Sequence, residues 1–332
     1  MTTLSKDAGK YLLWSLNYQA YSPDLKLNDL GYLKRSDWRY GNLWVQARKD
    51  DRPFGLLRSC CGTLNLSRNW NFHQDELIKE MRIDMNFFTR NWWYFDEGVG
   101  HDWQTYDDRA TRGGPLLLNP ANSWAYVCLK SDSRNPIVLN PNMSLWRTAS
   151  GSQGGDVSCF TVLNILSNIR FSFGPEYSWS FDRAQWITNV DQNVDGIFDH
   201  FVFGELRSKT LNLTARADIT VTPNLSFQLY TQPFLAAGHY EEIKELLHNK
   251  SYDFGPYNLG YSPDFNMKSL RGNAVFRWEY RPGSTLFLVW TQNRYNDVEN
   301  PGDFSPRRDL FTLFLTQSEN VFMLKVNYWF NL

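Results

Sequence analysis

Long apolar runs are missing from this sequence of 332 residues. No stretch approaches the ~18 uninterrupted apolar residues that a membrane-spanning helix needs, and the mean hydropathy is −0.49. The sequence therefore excludes a helical membrane protein. Net charge is also nearly absent, at −1, which removes the electrostatic basis for binding nucleic acid.

Cysteine is scarce, and Cys60, Cys61, Cys128 and Cys159 match no zinc or redox spacing. Adjacent residues of a strand point to opposite faces, so a bridge between Cys60 and Cys61 is unfavourable, and we predict four unpaired thiols. Catalytic signatures are missing too. The chain has no G-x-S-x-G motif and no recognisable serine–histidine–aspartate set, and the glycine-rich 151–155 lacks the lysine of a phosphate loop.

Aromatic residues are abundant, at 16% of the chain with 14 Trp, 17 Tyr and 23 Phe. Tryptophan and tyrosine are enriched where a membrane meets water, because an amphipathic ring settles at headgroup depth. A soluble sugar-binding or sugar-hydrolysing β-protein is the alternative, with Trp92, Trp93 and Trp103 as stacking platforms. Composition leaves both open.

The last dozen residues alternate with period two, which is the side-chain period of a β-strand. One face carries Phe322, Leu324, Val326, Tyr328, Phe330 and Leu332, and the other carries Lys325, Asn327 and Asn331. The same alternation recurs in 14–20, 169–182, 211–221 and 274–281. The longer of these segments reach the ~9–11 residues with which a tilted strand crosses a bilayer.

Connections fall into two length classes. Tight turns are predicted at 167–168, 222–224 and 281–284, and long loops at 96–119, 183–199, 235–264 and 297–320. Along the second half of the chain the two classes alternate, which is typical of outer-membrane barrels with short periplasmic turns and long extracellular loops. We predict a short amphipathic helix over 240–247, capping the barrel mouth.

These patterns predict an all-β fold: one antiparallel transmembrane β-barrel domain over residues 1–332, with about 14 or more strands. About thirteen strands are recognisable. They begin near Lys10, Asp37, Leu56, Leu77, Ser123, Ile137, Val157, Ile169, Phe201, Leu225, Met267, Thr285 and Val321. Because single-chain bacterial barrels close with an even number, we expect either a missed strand or further strands upstream.

The region after Met1 lacks the apolar core of a signal peptide. An outer-membrane protein must be exported, so either the signal was trimmed or the chain is the C-terminal part of a larger protein, and we favour the second. In both cases we expect the chain to lie in the outer membrane of a Gram-negative bacterium. Its expected partners are outer-membrane lipid and the barrel assembly machinery, and Tyr328, Phe330 and Leu332 form the expected assembly signal.

The stretches 262–266, 269–273, 277–292, 320–322 and 328–330 carry a family resemblance, and 229–234 and 251–254 extend it. The chain resembles the C-terminal domain of uncharacterised Bacteroidota-type outer-membrane proteins that carry an N-terminal family-nine-like carbohydrate-binding domain. This resemblance implies an outer-membrane barrel acting as a pore, receptor or anchor, and it associates the chain with glycan. It supplies no catalytic residues.

Polar side chains on the strands are the main candidate site. We expect them to face the barrel lumen, where they set pore selectivity or hold a plug, or instead form a ladder of cross-strand ion pairs. They are Arg170, Glu176, Asp182, Arg216, Asp218, Arg277, Glu279 and Lys325.

Two weaker candidates complete the set. Asp191, Asn193 and Asp195 fit the opening of a calcium loop, D-x-N-x-D-G, but Val202 stands where a bidentate Glu is needed, so a polar loop is the preferred interpretation. A membrane-embedded hydrolase would use loop carboxylates as acid and base. Its candidates are Asp96, Glu97, Asp107 and Asp108.

Overall fold

The computed structural model describes residues 1–26, 33 and 35–330, and the chain is built almost entirely of antiparallel strands. The elements, in chain order, are β1 (Thr2–Lys6), β2 (Leu12–Tyr21), β3 (Trp38–Lys49), β4 (Leu57–Trp70), β5 (Glu76–Thr89), β6 (Tyr94–Asp102), β7 (Thr105–Asp107), β8 (Leu117–Asn119), β9 (Asn122–Lys130), β10 (Ile137–Thr148), β11 (Gln153–Leu166), β12 (Ile169–Val190), β13 (His200–Thr222), β14 (Leu225–Leu246), β15 (Phe254–Pro256), β16 (Phe265–Arg281), β17 (Ser284–Asn296), α1 (Pro306–Leu315) and β18 (Ser318–Asn327).

One 16-stranded antiparallel sheet dominates the molecule. Its strands follow chain order from β1 to β18, with β7 and β8 set aside as a separate pair and β15 added beside β14. Each strand of this meander pairs with the next sheet strand along the chain. Tight turns set the register where they occur, and the apolar–polar alternation sets it across the longer connections. The all-β antiparallel fold with 14 or more strands predicted from the sequence is confirmed.

The two faces of the sheet differ in chemistry. In β12, Phe171, Phe173 and Tyr177 lie opposite Ala217, Ala215 and Leu211 of β13, whereas Arg170, Ser172 and Glu176 point to the other side. We call the side bearing Phe171 the apolar face and the other the polar face. Within the strands described, the charged residues of the apolar face lie toward the two ends of the sheet and leave an uncharged band between them. They are Lys6, Lys49 and Glu97 toward one end, and Arg39, Arg68, Lys79, Arg147, Glu205, Arg207, Lys209, Glu241, Lys268 and Arg294 toward the other.

The longest connections lie at one of the two ends of the sheet, although 71–75 and 149–152 at that end are as short as several connections at the other. At one end, which we call the short-turn end, the strands are joined through 7–11, 50–56, 90–93, 131–136, 167–168, 223–224 and 282–283. At the other, the long-loop end, they are joined through 22–37, of which 27–32 and 34 lie outside the described residues, and through 71–75, 103–121, 149–152, 191–199, 247–264 and 297–317. From residue 167 onward, short and long connections alternate between the two ends, as the sequence predicts.

Contacts across the long-loop end require a curved sheet. Lys250 Nζ, beyond β14, lies 2.6 Å from Asp75 Oδ1, which is next to β5. Six strands separate β5 from β14 in the sheet order, and a flat sheet would hold the two about 34 Å apart at ~4.8 Å per strand. The sheet therefore curls, with its two halves facing each other at this end.

Two small clusters of buried apolar side chains supplement the sheet. Leu117, Phe203 and Leu246 join the 103–121 segment to β13 and β14. Leu235, Leu270 and Leu313 join α1 to the apolar face of β14 and β16. Both clusters lie in the half of the sheet nearest the long-loop end.

Several predicted boundaries are wrong at this end. Strands β12, β13 and β14 run for 22, 23 and 22 residues, so parts of the predicted long loops are strand. The helix predicted over 240–247 is instead the end of β14, because Lys244, Glu245 and Leu246 pair with β15. The loop predicted over 297–320 contains α1. The sequence interpretation also missed two strands of the meander, β1 and β6.

Candidate functional site

The long-loop end carries a lid made from two connections. Segment 103–121, with its β7–β8 hairpin, meets segment 247–253 through backbone hydrogen bonds from Leu118 N to Ser251 O (3.0 Å) and from Lys250 N to Leu116 O (2.8 Å). The amide of Leu116 also donates to Asn249 Oδ1 at 2.9 Å. These segments come from opposite halves of the curved sheet, so the lid bridges the two halves at this end. We call the opening between the two halves at this end the mouth.

A cavity of about 400 Å³ lies under the lid, and we call it the mouth cavity. Its walls come from four parts of the chain, namely segment 103–121, the β10–β11 turn, β12–β13 and the segment after β14. The residues that define it are Asp107, Arg109, Arg112, Trp146, Thr148, Ser150, Ser152, Asp182, Trp186, Phe203 and Tyr252. The volume falls within the ~300–1,000 Å³ of small-molecule sites.

Hydrogen bonds order the floor of the mouth cavity. Ser152 Oγ donates to Asp182 Oδ1 (3.3 Å) and accepts from Arg183 N (2.9 Å), so the β10–β11 turn is tied to β12. Burial raises the pKa of the neighbouring Tyr252, and the Asp182 carboxylate raises it further. Tyr252 therefore presents a neutral hydroxyl to the cavity.

Aromatic rings line the polar face below the cavity. Trp124 and Tyr126 of β9 stack with their centroids 6.2 Å apart. The Arg82 guanidinium lies over both rings, 5.4 Å from the Trp124 centroid. Gly100 of β6 leaves no room for a Cβ under Trp124, so glycine is required for this ring position. Aromatic faces beside hydrogen-bonding groups suit a ring-shaped, hydroxylated solute.

A polar network joins β5, β6 and β9 at the same level. Arg82 Nε donates to both oxygens of Asp84, at 2.7 and 2.8 Å. The Tyr126 hydroxyl lies 2.8 Å from Asp84 Oδ1 and 3.2 Å from Asp96 Oδ1. Sequence reasoning missed Asp84 and Tyr126, because β5 and β9 are brought together only by the intervening β6.

The predicted lumen residues share the polar face. On β12 and β13, Arg170 lies opposite Asp218, Glu176 lies opposite Asn212, and Asp182 reaches the mouth cavity. Their role in selectivity stays a prediction.

Ion pairs among these residues run along strands rather than across them. Arg216 Nε lies 2.9 Å from Asp218 Oδ2, and Arg277 lies 3.1 Å from Glu279, in each case two residues apart on one strand. Lys325 shares the face and is exposed. These two ion pairs are therefore not part of a ladder between neighbouring strands, which was the alternative role predicted for the polar residues.

The candidate calcium loop uses its oxygens for its own backbone. Asp191 accepts from Asp195 N at 3.2 Å and from Gly196 N at 2.7 Å, and Asn193 donates to Asp199. Across the described residues, no group of three or more His, Cys, Asp or Glu side chains is arranged to hold a metal. Calcium binding stays an untested prediction.

The tryptophans of the soluble alternative do not form one platform. Trp92 and Trp93 lie at the short-turn end, where Arg58 and Arg134 flank the Trp92 ring at 3.9 and 4.2 Å. Trp103 follows β6 at the opposite end.

The carboxylates of the hydrolase alternative are also dispersed. Asp96 and Glu97 fall on opposite faces of β6. Asp108 pairs with Arg35, with 3.0 Å between Nη1 and Oδ1, while Asp107 accepts from the amides of Arg109 and Ala110. The described structure therefore brings no two of these four together as an acid–base pair.

The expected assembly signal is only partly described. Tyr328 and Phe330 lie beyond β18, exposed, with their ring centroids 4.6 Å apart. Leu332 lies outside the described residues. The strand itself ends at Asn327 rather than continuing to the last residue.

The fold and site define a class: an all-β protein built on one curved antiparallel meander, with an apolar face, a polar face and a lidded mouth. The chain belongs to the family described as a domain of unknown function, DUF5916, whose model matches residues 1–332. A search of curated proteins finds no match. Among the described residues, no helix has both the length and the apolar character needed to span a membrane.

A solved structure titled "NanC porin structure in rhombohedral crystal form" is similar to the chain at 10% sequence identity. The alignment covers 87% of this chain and 99% of that one, with a TM-score of 0.26. A TM-score this low supports no inference about this chain.

Proposed function

We propose that the chain is an outer-membrane β-barrel whose polar face lines a water-filled pore, narrowed at its mouth by the lid. The observation that carries this proposal is the two-faced sheet, whose apolar face has its charged residues toward the two ends of the sheet and an uncharged band between them. In water, so broad an apolar face is unfavourable, whereas lipid is a suitable neighbour for it.

Loop sorting supports the same proposal. Barrels of this class have short periplasmic turns and long outer loops. The short-turn end is therefore assigned to the periplasm, and the lidded long-loop end to the cell exterior of a Gram-negative bacterium. Outer-membrane lipid and the barrel assembly machinery remain the proposed partners.

Closure of the barrel involves strands β1 and β18. The meander path contains fifteen strands, since β15 only flanks β14, so β1 and β18 run in the same direction. No pairing between them occurs among the described residues. Bacterial single-chain barrels are antiparallel with an even number of strands, so the fifteen-strand path leaves β1 and β18 as two edges that do not match as antiparallel neighbours.

The proposed solute is polar and hydroxylated, in keeping with a role in glycan handling. Both signs of charge are interspersed on the polar face, which favours no ion of one sign. Trp124 and Trp146 offer stacking surfaces, and serine, tyrosine and aspartate groups in the mouth cavity offer hydrogen bonds. The family resemblance to Bacteroidota-type proteins with a sugar-binding domain agrees with this class of solute.

Conductance of the full chain in planar lipid bilayers tests the pore. Replacing 104–120 with a short Gly-Ser linker removes the lid hairpin, and we expect single-channel conductance to rise several-fold. The parent chain should conduct weakly, and it should pass maltotriose in a vesicle-swelling assay.

The control variant shortens 192–198, an exposed loop at the same end that contributes no residue to the mouth cavity. It should conduct like the parent. A hairpin-deleted chain that inserts into bilayers but stays closed to ions would contradict the pore.

A further inference from the structure

Helix α1 lies across the apolar face rather than over the mouth. Leu313 is fully buried against Leu235 of β14 and Leu270 of β16, and Leu310 and Phe304 flank this contact. Leu235 lies about ten residues from the short-turn end of β14, or ~25 Å along the barrel axis for a strand tilted by ~40°. This distance equals the ~25 Å height of the apolar band on outer-membrane barrels, so α1 lies at the upper edge of that band.

Several polar contacts hold α1 in place. The Asp309 carboxylate, fully buried, accepts from Ser305 N at 2.9 Å and from Asn266 Nδ2 at 3.4 Å. At the other end of the helix, the Arg294 guanidinium donates to the carbonyls of Phe314 and Thr316. These bonds use backbone groups that a helix terminus otherwise leaves unpaired.

The segment before α1 is fastened to the same face. Lys268 is fully buried and donates from Nζ to Glu299 O at 3.0 Å, and Asn266 Nδ2 donates to Asp303 O at 2.6 Å. Both side chains belong to the apolar face of β16, beside Leu270. Specific hydrogen bonds and packing therefore hold both the loop and the helix against this face.

The outward side of α1 is apolar as well. Phe311, Phe314 and Leu315 are 66%, 56% and 71% exposed, although the opposite side of the helix is already buried. Arg307 is exposed in the first turn, next to these side chains. Aromatic and aliphatic side chains beside an arginine are the composition of helices that lie in a membrane interface.

We propose that α1 is an interfacial helix that binds the lipid surface around the long-loop end. Phe311, Phe314 and Leu315 enter the acyl-chain boundary, and Arg307 reaches the anionic headgroups. We assign lipid, rather than a protein partner, to the exposed side of α1 because that side is continuous with the apolar face of the sheet. The inference rests on the proposed function, since it needs that face to be in a membrane.

Depth-dependent quenching tests this placement in the full chain. Cys60, Cys61, Cys128 and Cys159 are first replaced by alanine, and an environment-sensitive fluorophore is attached to a single new cysteine in each variant. The three variants are Phe314→Cys on α1, Leu288→Cys on the apolar face, and Val194→Cys in an exposed loop. Each is reconstituted in phosphatidylcholine–phosphatidylglycerol vesicles with bromines placed near the headgroup or near the bilayer centre.

We expect the label at 314 to lose most fluorescence with shallow bromines, the label at 288 to be quenched by lipid, and the label at 194 to be unaffected. Quenching at 288 without quenching at 314 would contradict the lipid contact of α1 and would leave the barrel proposal unaffected. Loss of quenching at both positions overturns the membrane proposal itself. Disulfide-linked dimers of the unlabelled Phe314→Cys variant, together with no quenching of the label at 314, would overturn the lipid contact and show that a second copy of the chain covers the helix.

Discussion

At the residue scale, the polar face depends on pairings that no sequence pattern reveals. Asp84 and Tyr126 are 42 positions apart, and their 2.8 Å contact exists because β5, β6 and β9 are adjacent. The sequence gives the face of each side chain through alternation, but it does not give the neighbour across two strands. The predicted polar set and the network around Tyr126 therefore lie on the same face yet share no residue.

A turn at the short-turn end gives a direct pH prediction. Asp132 accepts from Arg134 Nε at 2.8 Å and from Arg134 N at 3.0 Å. The side-chain bond, followed by the backbone bond, lowers the pKa of Asp132 from 3.8 to about 2. A lowered folded-state pKa stabilises the turn above pH ~4, and this contribution is lost as pH falls through about 2.

Carbon-13 NMR of the carboxyl group in detergent micelles measures this pKa. We expect a midpoint near 2 for Asp132 in the parent chain. Arg134→Gln removes the charged partner and should move the midpoint toward 3.8. An ordinary midpoint in the parent chain, unchanged by Arg134→Gln, would show that the pair does not form.

At the element scale, period-two alternation located most strands but not their ends. Strands β12, β13 and β14 continue beyond the alternating stretch because β15 and the lid give their ends partners. β6 was missed because Gly98 and Gly100 interrupt its pattern, and β1 because five residues are too short to show one. The signal for α1 was available: Pro306 at the first helical position, then Leu310 and Leu313 at helical spacing.

Adjacent residues of β17 test which face meets lipid. Leu288 lies on the apolar face opposite Leu324, and Val289 lies on the polar face opposite Met323. Leu288→Arg should lower the free energy of unfolding from vesicles by about 2–4 kcal/mol, because an arginine near the bilayer midplane is poorly solvated.

Val289→Arg is the matched control, and it should cost less than about 1 kcal/mol because water reaches the lumen. Urea titration of vesicle-reconstituted protein gives both values. Equal costs for the two substitutions would argue against a lipid–water division between the faces.

At the scale of the whole molecule, the alternation of turns and loops along the second half of the chain was predictable because the meander preserves chain order. Loop sorting needs only strand count and direction, and both follow from local patterns. The curvature and the lid were not predictable. They rest on contacts such as Lys250 with Asp75 and Leu118 with Ser251, which join segments more than a hundred residues apart.

The most direct test of the account is a nitroxide scan of β13 in lipid vesicles, one label at a time from position 213 to 219. Collision with oxygen reports lipid, and collision with a water-soluble nickel complex reports water. We predict that positions 213, 215, 217 and 219 favour oxygen and that 214, 216 and 218 favour nickel, alternating along the strand. Equal access of nickel to both sets, or exclusion of both reagents from positions 213 to 219, would contradict a sheet that separates lipid from a wet lumen.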